Sequence, residues 1–450
     1  MQVEDKKQPK SILWHRGYSL RKDSVSKQDL LALKKELTVQ PKGHPDYPVP
    51  DKFSLYVDGK NSNYIRLPRY FGENKYGVPE RTALTDHPRS FTFRGQLRDY
   101  QTPIIAKALA HLRESHCGIM SLYTSWGKTY GTLFAVAEMG QRCIILVHKS
   151  ELLLQWKSEI ENLLPDAKVD IIQGTRKTVS EDCDITLAMI QTVINMDVVP
   201  PMFGLAVVDE CHHVAAETFS TIFSKVTTLY ALGITATVNR KDGLTRVLNH
   251  YLGPIVVNVE ADVNDREATV FFYRYPKRLQ GRSPAEKLTH LVRDEDRNER
   301  ILRVLETLIA EDTENVRKLL IFSDRREHAA LFHEKLTERQ RTKSVGLYLG
   351  GMKSAVLAEE KGKDIICSTY NMFGEGLSVK QLNTLVLLTP KSDVCQIMGR
   401  IFRQRHAVRP WIVDIVDEGC EGKMHLRQRT YRAQLSSFES RMCGLASHER

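Results

Sequence analysis

The chain has 450 residues, 42% hydrophobic and 27% charged, which is room for two or three globular domains with ordinary cores. Its 65 Lys and Arg against 55 Asp and Glu leave a net charge of +10, a surplus that suits a polyanionic partner such as nucleic acid. The opening "MQVEDKKQPK" has no apolar signal-peptide core, no apolar run approaches the roughly 20 residues of a membrane helix, and the eight cysteines form no C-x-x-C pair. A membrane protein, a zinc ribbon and a disulfide scaffold are therefore not expected, and a reducing cytoplasm is the expected setting.

Residues 1–92 read as an accessory domain. They hold a predicted helix, "KQDLLALKKEL", and a hairpin, "FSLYVDGKNSNYIRLP", whose turn residues run from Gly59 to Asn63. The stretch "NYIRLPRYFGENKYG" interleaves Arg66 and Arg69 with Tyr70 and Tyr76, a pattern that suits stacking on bases and contact with phosphates. The alternative is a packing extension of the domain that follows.

From 93 to 262, short apolar runs alternate with helix-length connections: "CGIMSLY", "RCIILVH", "VDIIQG", "DITLAMI", "LAVVDE" and "YALGITA". Residues 263–284 carry mixed charge, one possible strand, and Pro and Gly, and read as a hinge. A second series over 285–450 comprises "KLLIFSD", "SVGLYLG", "DIICST", "TLVLLT" and "PWIVDIVD". Continuous apolar strands joined by helices imply an α/β fold, two doubly wound parallel-sheet domains in tandem. The closing "MHLRQRTYRAQLSSFESRM" reads as a basic helix with a packed or solvated face.

Three motifs carry chemistry. In "MSLYTSWGKTYG" a strand meets a helix at Gly127-Lys128-Thr129, where backbone N–H groups and the helix dipole attract phosphates. Lys128 would reach the β- and γ-phosphates of a nucleotide and Thr129 would hold Mg²⁺. The usual first glycine is Leu122, and bulky Trp126 precedes Gly127. In "GLAVVDECHH" an apolar strand delivers Asp209 and Glu210 at its carboxyl end, where open α/β sheets bind ligands. Asp209 suits Mg²⁺ and Glu210 a general base for water. The neighbouring Cys211, His212 and His213 lack a partner cluster at ligand spacing, so zinc is not expected. In "QIMGRIFRQR", Gln396, Arg400 and Arg403 share one face if the segment is helical, placed to act as arginine fingers. The alternative there is a solvated basic helix.

In this order, over roughly residues 94–417, these pieces resemble superfamily 2 helicases, and the resemblance implies two RecA-like domains. "LRDYQ" (97–101) is similar to the family's adenine-side motif, which implies nucleotide contacts for Arg98 and Gln101. "LYTSWGKT" is similar to the L-P-T-x-x-G-K-T form, in which the first loop position is often not glycine. That implies ATP contacts for Thr124, Ser125, Trp126, Gly127, Lys128 and Thr129. "DECH", "GITATVNRKDG" and "QIMGRIFR" resemble further family motifs, with Val238 where proline is common. "TYNMFGEGLS" (369–378), with Gly376 beside the nucleotide and Ser378 where many members have aspartate, is similar to phage recombination helicases, viral transcript-release helicases and the eukaryotic repair translocase. A tailed-phage DNA helicase, working in the host-cell cytoplasm, is the nearest likeness, and the RNA-directed DEAD-box pattern matches less well.

By that resemblance a DNA strand would cross both domains, touching His148, Lys149, Gln191 and Thr192 in the first and Ser323 and Thr369 in the second. These are polar groups at strand ends, suited to phosphates and not to base edges. The implied activity is ATP- and Mg²⁺-dependent unwinding or remodelling of forked and branched DNA in replication or recombination. Double-strand translocation or transcript release without strand separation is the first alternative. A non-catalytic nucleic-acid-binding protein on a motor fold is the second.

Overall fold

Runs such as Cys143–Val147 and Leu205–Val208 are apolar at every position, which suits a strand covered on both faces. The structure is a computed structural model that describes residues 8–41, 51–123, 126–197, 199–213, 216–236, 245–260, 266–278, 280–374, 379, 381–392, 394–402 and 404–444. Ile144, Leu146, Ala206 and Val208 enter one core, while Cys143, Ile145, Val147, Leu205 and Val207 enter another. Successive side chains of a strand point opposite ways, so one run fills two cores.

The chain divides into two compact units, Met1–Glu260 and Ala261–Arg450, and each contains a seven-stranded sheet. In the first unit the spatial order is Val169–Ile172, Ile185–Met189, Cys143–Val147, Leu205–Val208, Tyr230–Thr235, Cys117–Leu122 and Ile255–Val259, all parallel. The strands Leu205–Val208 and Cys117–Leu122 thus flank Tyr230–Thr235, and three loops of chemical interest leave the same edge. Six of these strands match the expected runs. The seventh, Ile255–Val259, was not among the expected runs; Asn258 interrupts its apolar residues.

The second unit orders Val345–Tyr348, Ile365–Thr369, Leu319–Ser323, Thr384–Leu387, Trp411–Glu418, Glu267–Arg278 and Ser437–Gly444, again all parallel. Two features differ from expectation. Most of the presumed hinge, 263–284, is the strand Glu267–Arg278, paired on both sides and buried through Ala268, Val270 and Phe272. Its apolar centre is short and flanked by charge, and Pro276 falls in the register shift between Tyr275 and Arg278. The closing segment is helical only over Glu421–Gln434, and Ser437–Gly444 is an edge strand. That strand is mostly exposed and carries an Arg441–Glu439 ion pair, so it shows no buried alternation to read. The helix itself is packed: Arg427 Nε meets Asp414 Oδ2 at 2.6 Å, and the Tyr431 hydroxyl donates to the same oxygen at 3.0 Å.

The N-terminal residues form a small five-stranded sheet, ordered Val57–Asp58, Tyr64–Leu67, Gly17–Arg21, Ser11–Trp14 and Arg81–Thr82. The expected helix spans Lys27–Glu36 and is capped by the Ser26 hydroxyl, which accepts from the Asp29 N–H at 3.1 Å. The expected hairpin pairs Val57 with Arg66 across its turn. This sheet shares one apolar core with the motor sheet of the first unit, Tyr18, Leu33 and Ile65 joining Ile119 and Ala206. Arg69 is 4% exposed and donates through Nη1 to Leu229 O at 2.7 Å and to Thr228 O. Phe71 packs edge-on against His250, and Tyr70 and Tyr76 pack on the core. The expectation of Arg69 as a DNA-facing residue is therefore corrected: it fastens the accessory domain to the motor sheet, while Tyr70 and Tyr76 are half-buried against the shared core.

Candidate active site

The strand Cys117–Leu122 is fully buried and delivers the chain to Gly127, the N-cap of the helix Lys128–Met139. Gly127 adopts φ 91°, a left-handed conformation that only glycine takes cheaply, and an added Cβ would lie 2.8 Å from Gln101 Nε2. Lys128 and Thr129 are the first two residues of the helix, so their N–H groups lack partners within it and Lys128 projects from its positive end.

The strand Leu205–Val208 ends at Asp209 and Glu210. Lys128 Nζ lies 2.5 Å from Glu210 Oε1 and closes the first two motifs into one site. Asp209 is buried, and the indole N–H of Trp156 donates to its Oδ2 at 2.7 Å. Burial, with the Glu210 charge adding to it, pushes the Asp209 carboxyl up to about 6. Glu210 itself sits at φ 45°, a strained backbone for a residue with a Cβ. Such strain persists where the surroundings enforce it, which makes Glu210 a candidate for a role other than packing.

His212 ties in the third loop. Its Nδ1 lies 2.5 Å from the Thr235 hydroxyl and 3.4 Å from Glu210 Oε2, and Thr235 ends the intervening strand Tyr230–Thr235. Thr237 and the "VNRKDG" that follows it lie outside the described residues. The "LRDYQ" motif reaches the same loop from behind. Gln101 is 2% exposed and donates through Nε2 to Trp126 O at 3.0 Å, while its Oε1 accepts from the Arg98 N–H at 3.1 Å. Arg98 Nη1 donates to the Tyr100 hydroxyl at 3.0 Å.

Trp126 corrects an expectation. Its side chain is 1% exposed and fills the core beside Ile105 and Gly131, where a Cβ on Gly131 would meet the indole at 2.8 Å. It supports the loop from inside and offers no surface to a nucleotide. Thr124, Ser125 and Gly376 lie outside the described residues.

The other polar candidates divide. His148 and Lys149 follow the strand Cys143–Val147, Gln191 follows the neighbouring Ile185–Met189, and Gln191 Nε2 donates to His148 O at 3.1 Å. The structure brings these three together. Thr192 is buried, with its hydroxyl accepting from the Gly174 N–H at 2.9 Å. Ser323 and Thr369 are cross-strand partners, both buried. The Ser323 hydroxyl is taken up by His328 Nδ1 at 2.9 Å and the Arg325 N–H at 3.1 Å, so it is not a phosphate contact here. The expected helical face over 396–403 is described only in part. The helix spans only Cys395–Met398, and Arg400 follows in a turn, 9% exposed. The Gln396 side chain and Arg403 lie outside the described residues.

A divalent cation fits the donor set. Two adjacent carboxylates lie beside one lysine, which pairs with Glu210, and burial, with the Glu210 charge adding to it, raises Asp209. Among the described residues no three His, Cys, Asp or Glu side chains cluster as a metal cage. An ion sharing Asp209 with waters and phosphate oxygens, as magnesium does, needs no such cage.

The sequence family described as type III restriction enzyme, res subunit, matches residues 94–240. A protein of Acanthamoeba polyphaga mimivirus named as an ATP-dependent RNA helicase, L396, is 30% identical over 425 residues, spanning 89% of this chain and 80% of that protein. The chain belongs to the superfamily 2 helicases, in the branch carried by large DNA viruses. A protein of African swine fever virus named as an ATP-dependent RNA helicase, QP509L, is 24% identical over 348 residues, covering 70% of this chain and 68% of its own. The solved structure of Mss116p bound to single-stranded RNA and AMP-PNP shares the fold, with a TM-score of 0.54 at 13% identity over 72% of this chain and 71% of that one. The helicase assignment makes this an ATP-dependent enzyme that acts on nucleic acid.

Trp156, His212 and Thr235 were not among the expected site residues. His212 and Thr235 stood inside recognised motifs, which was a usable signal. Trp156 lies within the helix Ser150–Leu163 and reads as an ordinary core position.

Proposed function

We propose that this helicase is a DNA motor that unwinds or remodels forked and branched DNA with the energy of Mg·ATP. One observation carries the ATP chemistry: Lys128, Asp209 and Glu210 meet at the carboxyl edge of one sheet, with Trp156 holding the buried aspartate. Lys128 compensates the β- and γ-phosphates, Asp209 and Thr129 hold Mg²⁺, and Glu210 orients and deprotonates the attacking water. Arg400 and Arg403 stabilise the charge that develops on the γ-phosphate. His148, Lys149 and Gln191 offer cationic and amide groups to a strand backbone without reading its bases.

DNA as the track is supported by the form of residues 369–378, which resembles the phage recombination helicases. RNA is the second reading, favoured by the names of the mimivirus and swine fever virus relatives. The test is ATPase stimulation and strand separation on single-stranded DNA, blunt duplex, forks, four-way junctions and RNA. Stimulation and unwinding strongest on forks or junctions supports the proposal. Greatest turnover on RNA overturns the DNA assignment, and stimulation by duplex without strand separation selects a pure translocase.

A further inference from the structure

Arg16 occupies a two-residue turn between Ser11–Trp14 and Gly17–Arg21, where Trp14 pairs with Gly17. The turn is fixed at both ends. Gly17 adopts φ 109°, where an added Cβ would lie 2.8 Å from Leu67 O, and the Thr227 N–H donates to His15 O at 3.0 Å. Arg66 lies on the strand Tyr64–Leu67, opposite Ser19 and Val57. Both arginines line one cavity of about 130 Å³ inside the first unit, together with Ser54, Thr221, Ser224 and Tyr251.

Arg69 also borders this cavity, but its guanidinium is committed to Thr228 O, Leu229 O and Glu73. The hydroxyls of Thr221 and Ser224 donate back into their own helix, to Glu217 O and Thr221 O. Among the described residues, neither Arg16 nor Arg66 has a carboxylate partner in ion-pair range. Two half-buried guanidiniums of like charge facing one space repel each other. Partial burial, then the Arg16 charge, lower Arg66 below its ordinary value, in keeping with uncompensated positive charge.

We propose that Arg16 and Arg66 form a phosphate-binding site, separate from the ATP loop, at the seam between the accessory sheet and the motor sheet. The planar guanidinium fork matches a tetrahedral oxyanion, and an anion here relieves the repulsion. The seam lies by residues 227–229, which precede the strand Tyr230–Thr235, whereas Lys128 and Glu210 lie at the opposite, carboxyl edge of the sheet. One ligand serves one edge and ATP the other. The phosphate belongs either to a nucleic-acid backbone or to a free phosphorylated compound. The anion test below does not depend on the DNA reading above.

The experiment compares the full chain carrying Lys128→Ala, which disables the ATP loop, with Lys128→Ala/Arg16→Ala/Arg66→Ala. Inorganic phosphate against chloride at matched ionic strength is read as thermal stabilisation, and fork DNA and RNA binding as a salt series. The Lys128→Ala chain is expected to gain about 3 °C in Tm at phosphate near ten times Kd, and the triple variant to gain none. If a nucleic-acid backbone is the ligand, the slope of log K against log salt also falls by about 1 in the triple variant. A lost phosphate response with an unchanged slope identifies a free phosphorylated ligand. Equal phosphate responses and equal slopes in the two chains overturn the site. Ser54→Glu in the Lys128→Ala chain guards against misfolding. Its carboxylate occupies the cavity while both arginines remain, and it should abolish the same responses.

Discussion

Replacing Trp156 with Phe separates site positioning from core packing. The indole N–H donates at 2.7 Å to Asp209 Oδ2 in a buried setting, and phenylalanine keeps most of the packing while removing that donor. A hydrogen bond to a charged group contributes about 2 kcal/mol, and roughly 1.4 kcal/mol is tenfold in an equilibrium constant. If the bond serves to hold Asp209 ionised and aimed at Mg²⁺, its loss weakens the apparent Mg²⁺ affinity by up to about 30-fold. Steady-state ATPase titrated with free Mg²⁺ at saturating ATP reads that shift, and a fluorescent nucleotide without Mg²⁺ reads ground-state binding. The expected result is a large Mg²⁺ shift with little change in metal-free binding. Leu153→Ala is the control: it empties buried volume on the same helix, destabilises by about 2–5 kcal/mol, and should leave the Mg²⁺ dependence alone. Equal Mg²⁺ dependence in Trp156→Phe and wild type would refute the reasoning and return Trp156 to the core.

Glu210→Gln should still bind ATP and nucleic acid but turn over poorly, since the amide cannot accept the proton of water; single-turnover hydrolysis at the wild-type rate would contradict the role. Arg400→Ala should lower kcat by about 10³-fold with little loss of nucleotide affinity, the signature of a contact made in the transition state, and equal losses in both would indicate ground-state binding. Arg69→Ala leaves Leu229 O and Thr228 O without their donor and should cost about 3 kcal/mol, lowering the Tm of the first unit by roughly 6–12 °C with the substrate preference unchanged in the folded fraction. His328 is buried between Ser323 and Asn298, and burial depresses it to about 3. A depressed folded value means the neutral ring contributes stability above pH 6.5, and that contribution is lost at about 1.4 kcal/mol per pH unit as pH falls below it. Urea midpoints between pH 7.5 and 5.5 should fall less steeply in His328→Gln than in wild type.

Eleven apolar runs marked strands because a parallel sheet buries both faces and leaves an uninterrupted signal; Cys143–Val147 needs no partner in order to be recognised. The motifs at Gly127–Thr129 and Asp209–Glu210 were legible for a similar reason: phosphate binding requires a particular backbone and particular side chains at adjoining positions. The sequence by itself therefore determined the fold class and the loops that carry the ATP chemistry. Other features depended on partners far along the chain. Only one possible strand was legible within 263–284; that it runs the length of Glu267–Arg278 inside a sheet depends on Trp411–Glu418 and Ser437–Gly444 pairing on its two sides. The ending of the helix at Met398 likewise went against its helical spacing. Trp126, Arg69 and Ser323 have the chemistry of ligand contacts, but packing against Gly131, the carbonyls at 228–229 and His328 turns each inward. Trp156 has the chemistry of a core residue, and one hydrogen bond to Asp209 places it at the site. Residue type sets what a side chain can do, and the long-range contacts made on folding decide which of those things it is free to do.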